Sequence, residues 1–218
     1  RQDLAGRLAE AASTANTNLS YAPGDYRAFE FDSNRQQVLV REGAWFRPGS
    51  SELEPEAKRA IESFFPALYD ALLDRGDDGV QALDYLAALE IQGHTDPHWA
   101  NEDLWSWDNY YHNTVLSQQR AAAVTAYVGE LLDAGKAGER SWRPFFAYVQ
   151  SSGRSWSEAY CSGSVMKAKN FRSDDPCPGE RLEADDARSR RVTFGVRVDD
   201  EKVLQRIQVE IEGARDQW

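Results

Sequence analysis

Leu86-Ala87-Ala88-Leu89-Glu90-Ile91-Gln92-Gly93, running straight into His94-Thr95-Asp96-Pro97, is the stretch that decides the fold. The apolar run reads as a buried strand, and its end puts Asp96 at the lip of a sheet, where ligands bind in α/β folds. Downstream lies a Trp- and Tyr-rich segment, His98 to His112. A long helix is expected next, from about Ser117 to Ala134, with Leu116, Val124, Tyr127, Val128, Leu131 and Leu132 on one face and Gly135 as its stop. Asn113 or Ser117 would cap it, which places Arg120 in its first turns. Further strands are expected near 144–149 and 190–198, and a closing helix over 203–214. Upstream, the spacing of Ile61, Phe64, Phe65, Leu68, Tyr69, Leu72 and Leu73 predicts a helix over 55–75, with Pro66 kinking or resetting it. Residues 27–31 and 37–41 read as a hairpin turned at Asp32-Ser33-Asn34, and residues 2–15 as a helix broken at Tyr21-Ala22-Pro23-Gly24. The order of elements predicts an α/β fold, a mixed sheet with helices packed on one face.

The chain has 218 residues, 41% of them hydrophobic, which supplies a real core and excludes a disordered chain. The net charge of −11 argues against nucleic acid as a partner. No run of 18 apolar residues and no signal-peptide core is present. Residue 1 is Arg, so a processed or truncated piece is expected, with any membrane anchor upstream. Cys161 and Cys177 flank a Ser-, Gly-, Asp- and Pro-rich loop with little to bury, and a disulfide there is the expected staple, contributing about 3 kcal/mol in an oxidising compartment. Two reduced thiols are the cytosolic alternative.

Asp96 and Arg120 form the pair that carries chemistry. Arg takes a carboxylate through two parallel hydrogen bonds and Asp takes an ammonium, so together they suit a zwitterion. From spacing alone, a salt bridge tying strand to helix is the competing reading. His94, His98 and His112 make a weak metal candidate, because Pro97 opposes the helix that the His94–His98 spacing would need. Glu102, Asp103 and Asp108 lack calcium-loop spacing. The aromatic insertion (Trp99, Trp105, Trp107, Tyr110, Tyr111) could stack on sugars or hold a partner, with a satellite core preferred. No phosphate loop, nucleophile elbow or paired-Cys zinc pattern occurs, so neither metal nor cofactor is expected.

Gly93-His94-Thr95-Asp96 with the 113–128 segment (NTVLSQQRAAAVTAYV) resembles the peptidoglycan-binding domain of the OmpA family, which includes peptidoglycan-associated lipoproteins and the B subunits of flagellar stators. Phe46 to Leu53 (FRPGSSEL) is similar to the family's lead-in to its first helix, and Ser189-Arg190-Arg191-Val192 to its last-strand motif. The resemblance spans about residues 36–199. It implies a non-catalytic two-layer sandwich that holds the diaminopimelate of the peptidoglycan stem. Asp96 would take the ammonium and Arg120 the carboxylate. Thr95, Asn113, Leu116 and one of Arg190 and Arg191 would support them. Trp99, Ser189, Asp185-Asp186, the long Asp96–Asn113 spacing and the cysteine loop depart from the family pattern. The enlarged domain and Ser189 are similar to the stator-like B subunits of Zorya anti-phage systems. That likeness implies a periplasmic domain on an inner-membrane anchor, a homodimer, and a membrane motor A subunit as partner through an upstream helix. An outer-membrane or lipoprotein tether is the alternative, and a wall hydrolase a lesser one. The implied division is a linker helix at 1–24, the binding domain at 25–199 with insertions at 97–112 and 151–186, and a terminal helix at 200–218.

Overall fold

The computed structural model describes residues 2–19, 29–33, 37–40, 45–75, 81–95, 107–133, 143–154, 160–161, 184–185 and 191–215. In chain order they form α1 (Gln2–Asn18), β1 (Phe29–Asp32), β2 (Gln37–Val40), α2 (Pro55–Leu73), a 3₁₀ turn (Ala82–Tyr85), β3 (Leu86–Gly93), α3 (Trp107–Asp133), a single helical turn α4 (Arg143–Phe146), β4 (Val149–Gly153), β5 (Tyr160–Cys161), β6 (Ala184–Asp185), β7 (Val192–Val198) and α5 (Asp200–Arg215). Five strands make a mixed sheet in the order β1-β2-β7-β3-β4, with β5 and β6 a separate pair. Among the described residues only β3 and β4 pair in parallel, as the crossover through α3 requires. The expected α/β sheet with helices is the fold observed.

Alternation along the strands gives the sheet one apolar face. Phe29, Val38, Val40, Leu89, Ile91, Val192 and Phe194 are buried on it. The α2 helix covers the face with Phe64, stacked on Phe29 at 4.7 Å and on Phe194 at 5.1 Å, while Phe65 meets Phe194 edge-on at 5.4 Å. One helix spans Pro66, so the expected reset of the element does not occur. Pro66 removes the bond to the carbonyl of Glu62, an exposed residue whose carbonyl water can satisfy. The segment expected to be a linker helix contributes Leu8, Ala11, Ala12 and Ala15 to the same core. Asn16 fastens it: its amide donates to the Phe29 carbonyl at 2.8 Å and accepts the Phe29 N–H at 3.0 Å.

The strand expected over 144–149 is corrected. Residues 143–146 form α4, and β4 begins at Val149. Pro144 lacks an N–H for a ladder and is tolerated in a first helical turn. The long helix is also corrected, starting at Trp107 and not near Ser117. Asn113 and Ser117 therefore lie inside it and cap nothing.

Tyr127 of α3 donates to Glu62 Oε1 of α2 at 2.6 Å. Burial first, then this hydrogen bond and the charges of Glu62 and Glu130, push the phenol up to about 12. A raised value in the folded state favours the protonated phenol, so this stabilisation is present below pH 10 and is lost as pH rises toward 12. Urea midpoints of the wild type should fall more steeply across that window than those of Tyr127→Phe. Parallel curves would show that the bond contributes nothing.

Candidate functional site

Two glycines set how closely the helix approaches the strand ends. Gly93 closes β3 and is in register with Gly153, which closes β4. A Cβ on Gly93 would stand 2.1 Å from the Ser117 carbonyl oxygen, and one on Gly153 would stand 2.6 Å from the Gln118 backbone nitrogen. Only glycine lets the α3 backbone settle onto both strand termini. Gln118 secures the contact, its Oε1 accepting the Gly153 N–H at 2.8 Å. Ala121 and Val124 then continue the buried face of α3.

This approach delivers Arg120 to the end of β3. Its side chain is 1% exposed. Nη1 donates to the His94 carbonyl at 3.2 Å, Nε to the Ser50 carbonyl at 3.0 Å, and Nη2 to the Arg47 carbonyl at 3.4 Å. The Phe46 ring lies 5.2 Å from the guanidinium carbon, within cation–π range. The Phe46–Leu53 lead-in thus acts as a cradle. Ser50 N–H bonds to the Arg47 carbonyl at 3.0 Å across Pro48-Gly49, and Gly49 has φ +69°, the left-handed value the second central residue of this turn needs. Glu54 shuts the loop, its N–H on the Trp45 carbonyl at 3.1 Å and its carboxylate on Arg47 at 2.7 Å. These carbonyls fix the plane of a cation without neutralising its charge.

Around this cradle the first half of α3 buries polar side chains where a core helix would bury apolar ones. Asn109, Asn113, Ser117 and Arg120 are all buried, with Leu116 beside them. Asn113 Nδ2 donates to Asn109 Oδ1 at 2.7 Å, and Ser117 Oγ bonds back to the Thr114 carbonyl at 2.8 Å. Asn113 and Ser117 look like caps in sequence because short polar side chains satisfy backbone groups at helix ends, and inside a helix Ser does the same by back-bonding. Thr95 is 2% exposed, and its hydroxyl has no hydrogen-bond partner among the described residues. His94 is a structural group: its N–H bonds to the Arg191 carbonyl at 2.9 Å and its Nε2 lies 3.2 Å from Thr193 Oγ1. Arg191 is buried, and on the alternation of the pleat it shares the face of Thr193, opposite Val192 and α3.

The structure therefore gathers Thr95, Asn113, Leu116 and Arg120 of the expected set at one strand-to-helix junction. Asp96 and Arg190 lie outside the described residues. So does Cys177, and of Cys161 only the backbone in β5 is described. Sequence reasoning missed Asn109 and the carbonyls of Arg47 and Ser50. Asn109 had a usable signal, its spacing of four from Asn113, hidden once the helix was started at Ser117. Of the aromatic insertion expected as a satellite core, Trp99 and Trp105 lie outside the described residues, and Trp107, Tyr110 and Tyr111 are 73%, 37% and 54% exposed, which does not fit a core. Among the described residues no His, Cys, Asp and Glu group is placed to hold a metal ion, and no helix is long and apolar enough to cross a membrane.

No family model matches the chain. Among solved structures it is similar to a putative MotB-like protein from Desulfovibrio vulgaris (17% identity, 90% of this chain and 93% of that one, TM-score 0.46). It is likewise similar to the cell wall anchor of the T6SS from Pseudomonas aeruginosa (19%, 88% and 97%, 0.40) and to the OmpA-like domain of FopA1 from Francisella tularensis (17%, 78% and 80%, 0.37). Over 189 residues, 84% of this chain and 67% of the other, it is 28% identical to the Zorya protein ZorB of Escherichia coli. The resemblance drawn from residues 93–96, 113–128 and 189–192 is thus met by similarity to a ZorB protein over most of the chain.

Proposed function

We propose that this chain binds peptidoglycan without catalysis and anchors an envelope complex to the cell wall as the B subunit of an ion-driven, stator-like motor. The observation that carries the reading is the Arg120 cradle. A guanidinium held by three carbonyls and an aromatic ring keeps one orientation, which a bidentate carboxylate contact rewards. The carbonyl that takes Nη1 belongs to His94, two residues before Asp96. An acid that follows so closely along the chain supplies the complementary charge for an ammonium. Diaminopimelate offers both groups at its free end. Similarity to ZorB supports the stator-like assignment, with a membrane A subunit, a second copy of this chain and a periplasmic location as its corollaries.

Co-sedimentation of the purified chain with isolated sacculi tests the reading. Wild type should pellet. Asp96→Asn should bind about fivefold more weakly, since a hydrogen bond to a charged group is worth about 1 kcal/mol more than a neutral one. Wild-type protein that stays in the supernatant would refute the reading.

A further inference from the structure

We infer that Asn109 is a positioning residue that turns the side-chain amide of Asn113 so that its oxygen faces the ligand. The inference rests on the peptidoglycan reading and adds a second point of recognition to it, for an amide N–H of the stem peptide.

Asn109, Asn113 and Arg120 lie at spacings of four and seven on one helix, within about 40° of one another around its axis. Asn109 is fully buried and Asn113 is 1% exposed. An Asn side chain presents an oxygen acceptor on one side and an NH₂ donor on the other, and neighbours decide which way it points. Here Asn113 Nδ2 is engaged by Asn109 Oδ1 at 2.7 Å. That bond consumes the donor end and directs the acceptor end away from Asn109. Among the described residues no other side-chain hydrogen bond of Asn113 is present. The Asn113 oxygen is not among the buried atoms left without a partner, so solvent reaches it on the face that carries Arg120, and a ligand N–H can take the place of water there.

The Arg120 side chain runs back along α3 to the His94 carbonyl, toward the level of Asn113, so both groups can meet one stem peptide. Arg120 takes the diaminopimelate carboxylate, and the Asn113 oxygen, an acceptor, takes an N–H of the same peptide. Asn109 touches no ligand itself. It acts through Asn113.

Four variants test this by sacculus co-sedimentation and by titration with a soluble diaminopimelate-containing tripeptide: Asn109→Leu, Asn109→Asp, Asn113→Ala and Asp96→Asn. Circular dichroism and melting curves check each fold. Leu fills the space of Asn109 without an acceptor, so Asn113 loses its orientation and binding should weaken about three- to tenfold, as should Asn113→Ala. Asp keeps the acceptor, so Asn109→Asp should bind within about threefold of wild type. In amide spectra, the Asn113 side-chain signals of wild type should shift on adding the tripeptide. The inference is overturned if folded Asn109→Leu binds as wild type, or if Asn109→Leu and Asn109→Asp lose binding equally, since a packing role alone would explain that. Either result beside a weakened Asp96→Asn leaves the peptidoglycan reading standing. If Asp96→Asn also binds as wild type, or wild type does not bind, that reading fails and this inference with it.

Discussion

Gly93→Ala should lose about 3 kcal/mol of stability, seen as a melting temperature lower by about 6–12 °C for a chain of this size. The methyl would lie 2.1 Å from the Ser117 carbonyl oxygen, and the next atoms, Ala121 N and Ser117 C, are also backbone at 3.1 Å. None of these can rotate away, so α3 must lift from the strand end. Local preference pulls the other way, because replacing Gly within a strand or helix ordinarily gains about 0.5–1 kcal/mol. The sign of the result therefore tests the close approach itself. Gly195→Ala is the control. The nearest neighbour of its new methyl would be the Gln37 side chain at 3.3 Å, which can move, so its effect should stay within about 1 kcal/mol. Gly153→Ala should resemble Gly93→Ala, since the Gln118 backbone stands 2.6 Å from its Cβ. If Gly93→Ala melts with or above wild type, α3 does not rest on β3 as described.

The same contact explains what could be read without a structure. Leu86–Gly93 is the strand expected, with those ends, because apolar side chains on the helix-covered face and a terminal glycine leave few alternatives. The 37–41 and 190–198 strands and the 55–75 helix were likewise legible from alternation and from helical spacing. The start of α3 was not. Trp107, Tyr110, Tyr111 and His112 carry no helical apolar stripe, because the face that α3 buries there is polar: Asn109, Asn113 and Ser117. Periodicity reads hydrophobicity, so a helix that buries amides looks like a loop. The cradle was hidden for a related reason. Arg47 and Ser50 act through backbone carbonyls, which every residue possesses, and no side-chain motif announces them. Phe46 was legible only as part of a family likeness, and its contact with Arg120 gives that likeness a physical basis.

Arg120→Lys should bind sacculi more than tenfold more weakly than wild type, and Arg120→Ala about 30- to several-thousand-fold, the range for truncating one partner of a buried, hydrogen-bonded charge pair at about 2–5 kcal/mol. On the proposed reading Arg120 has two separable duties. It pins the 46–50 loop and the β3 end through three carbonyls, and its charge would take the ligand carboxylate. Arg120→Ala abandons both, leaving a void under Phe46 and three carbonyls short of a donor, so it should also melt earlier. Arg120→Lys separates the duties. It keeps the charge and can still reach a carbonyl, but a single ammonium cannot span the cradle and make two parallel bonds to a carboxylate. A Lys variant that folds, melts near wild type and loses binding assigns the loss to carboxylate recognition. One that folds and pellets with sacculi as wild type does would reduce Arg120 to a pin between loop and strand. Normal binding by Asp96→Asn in the same assay would then remove the zwitterion pair as a whole and move the search for a ligand to the exposed rings of Trp107, Tyr110 and Tyr111.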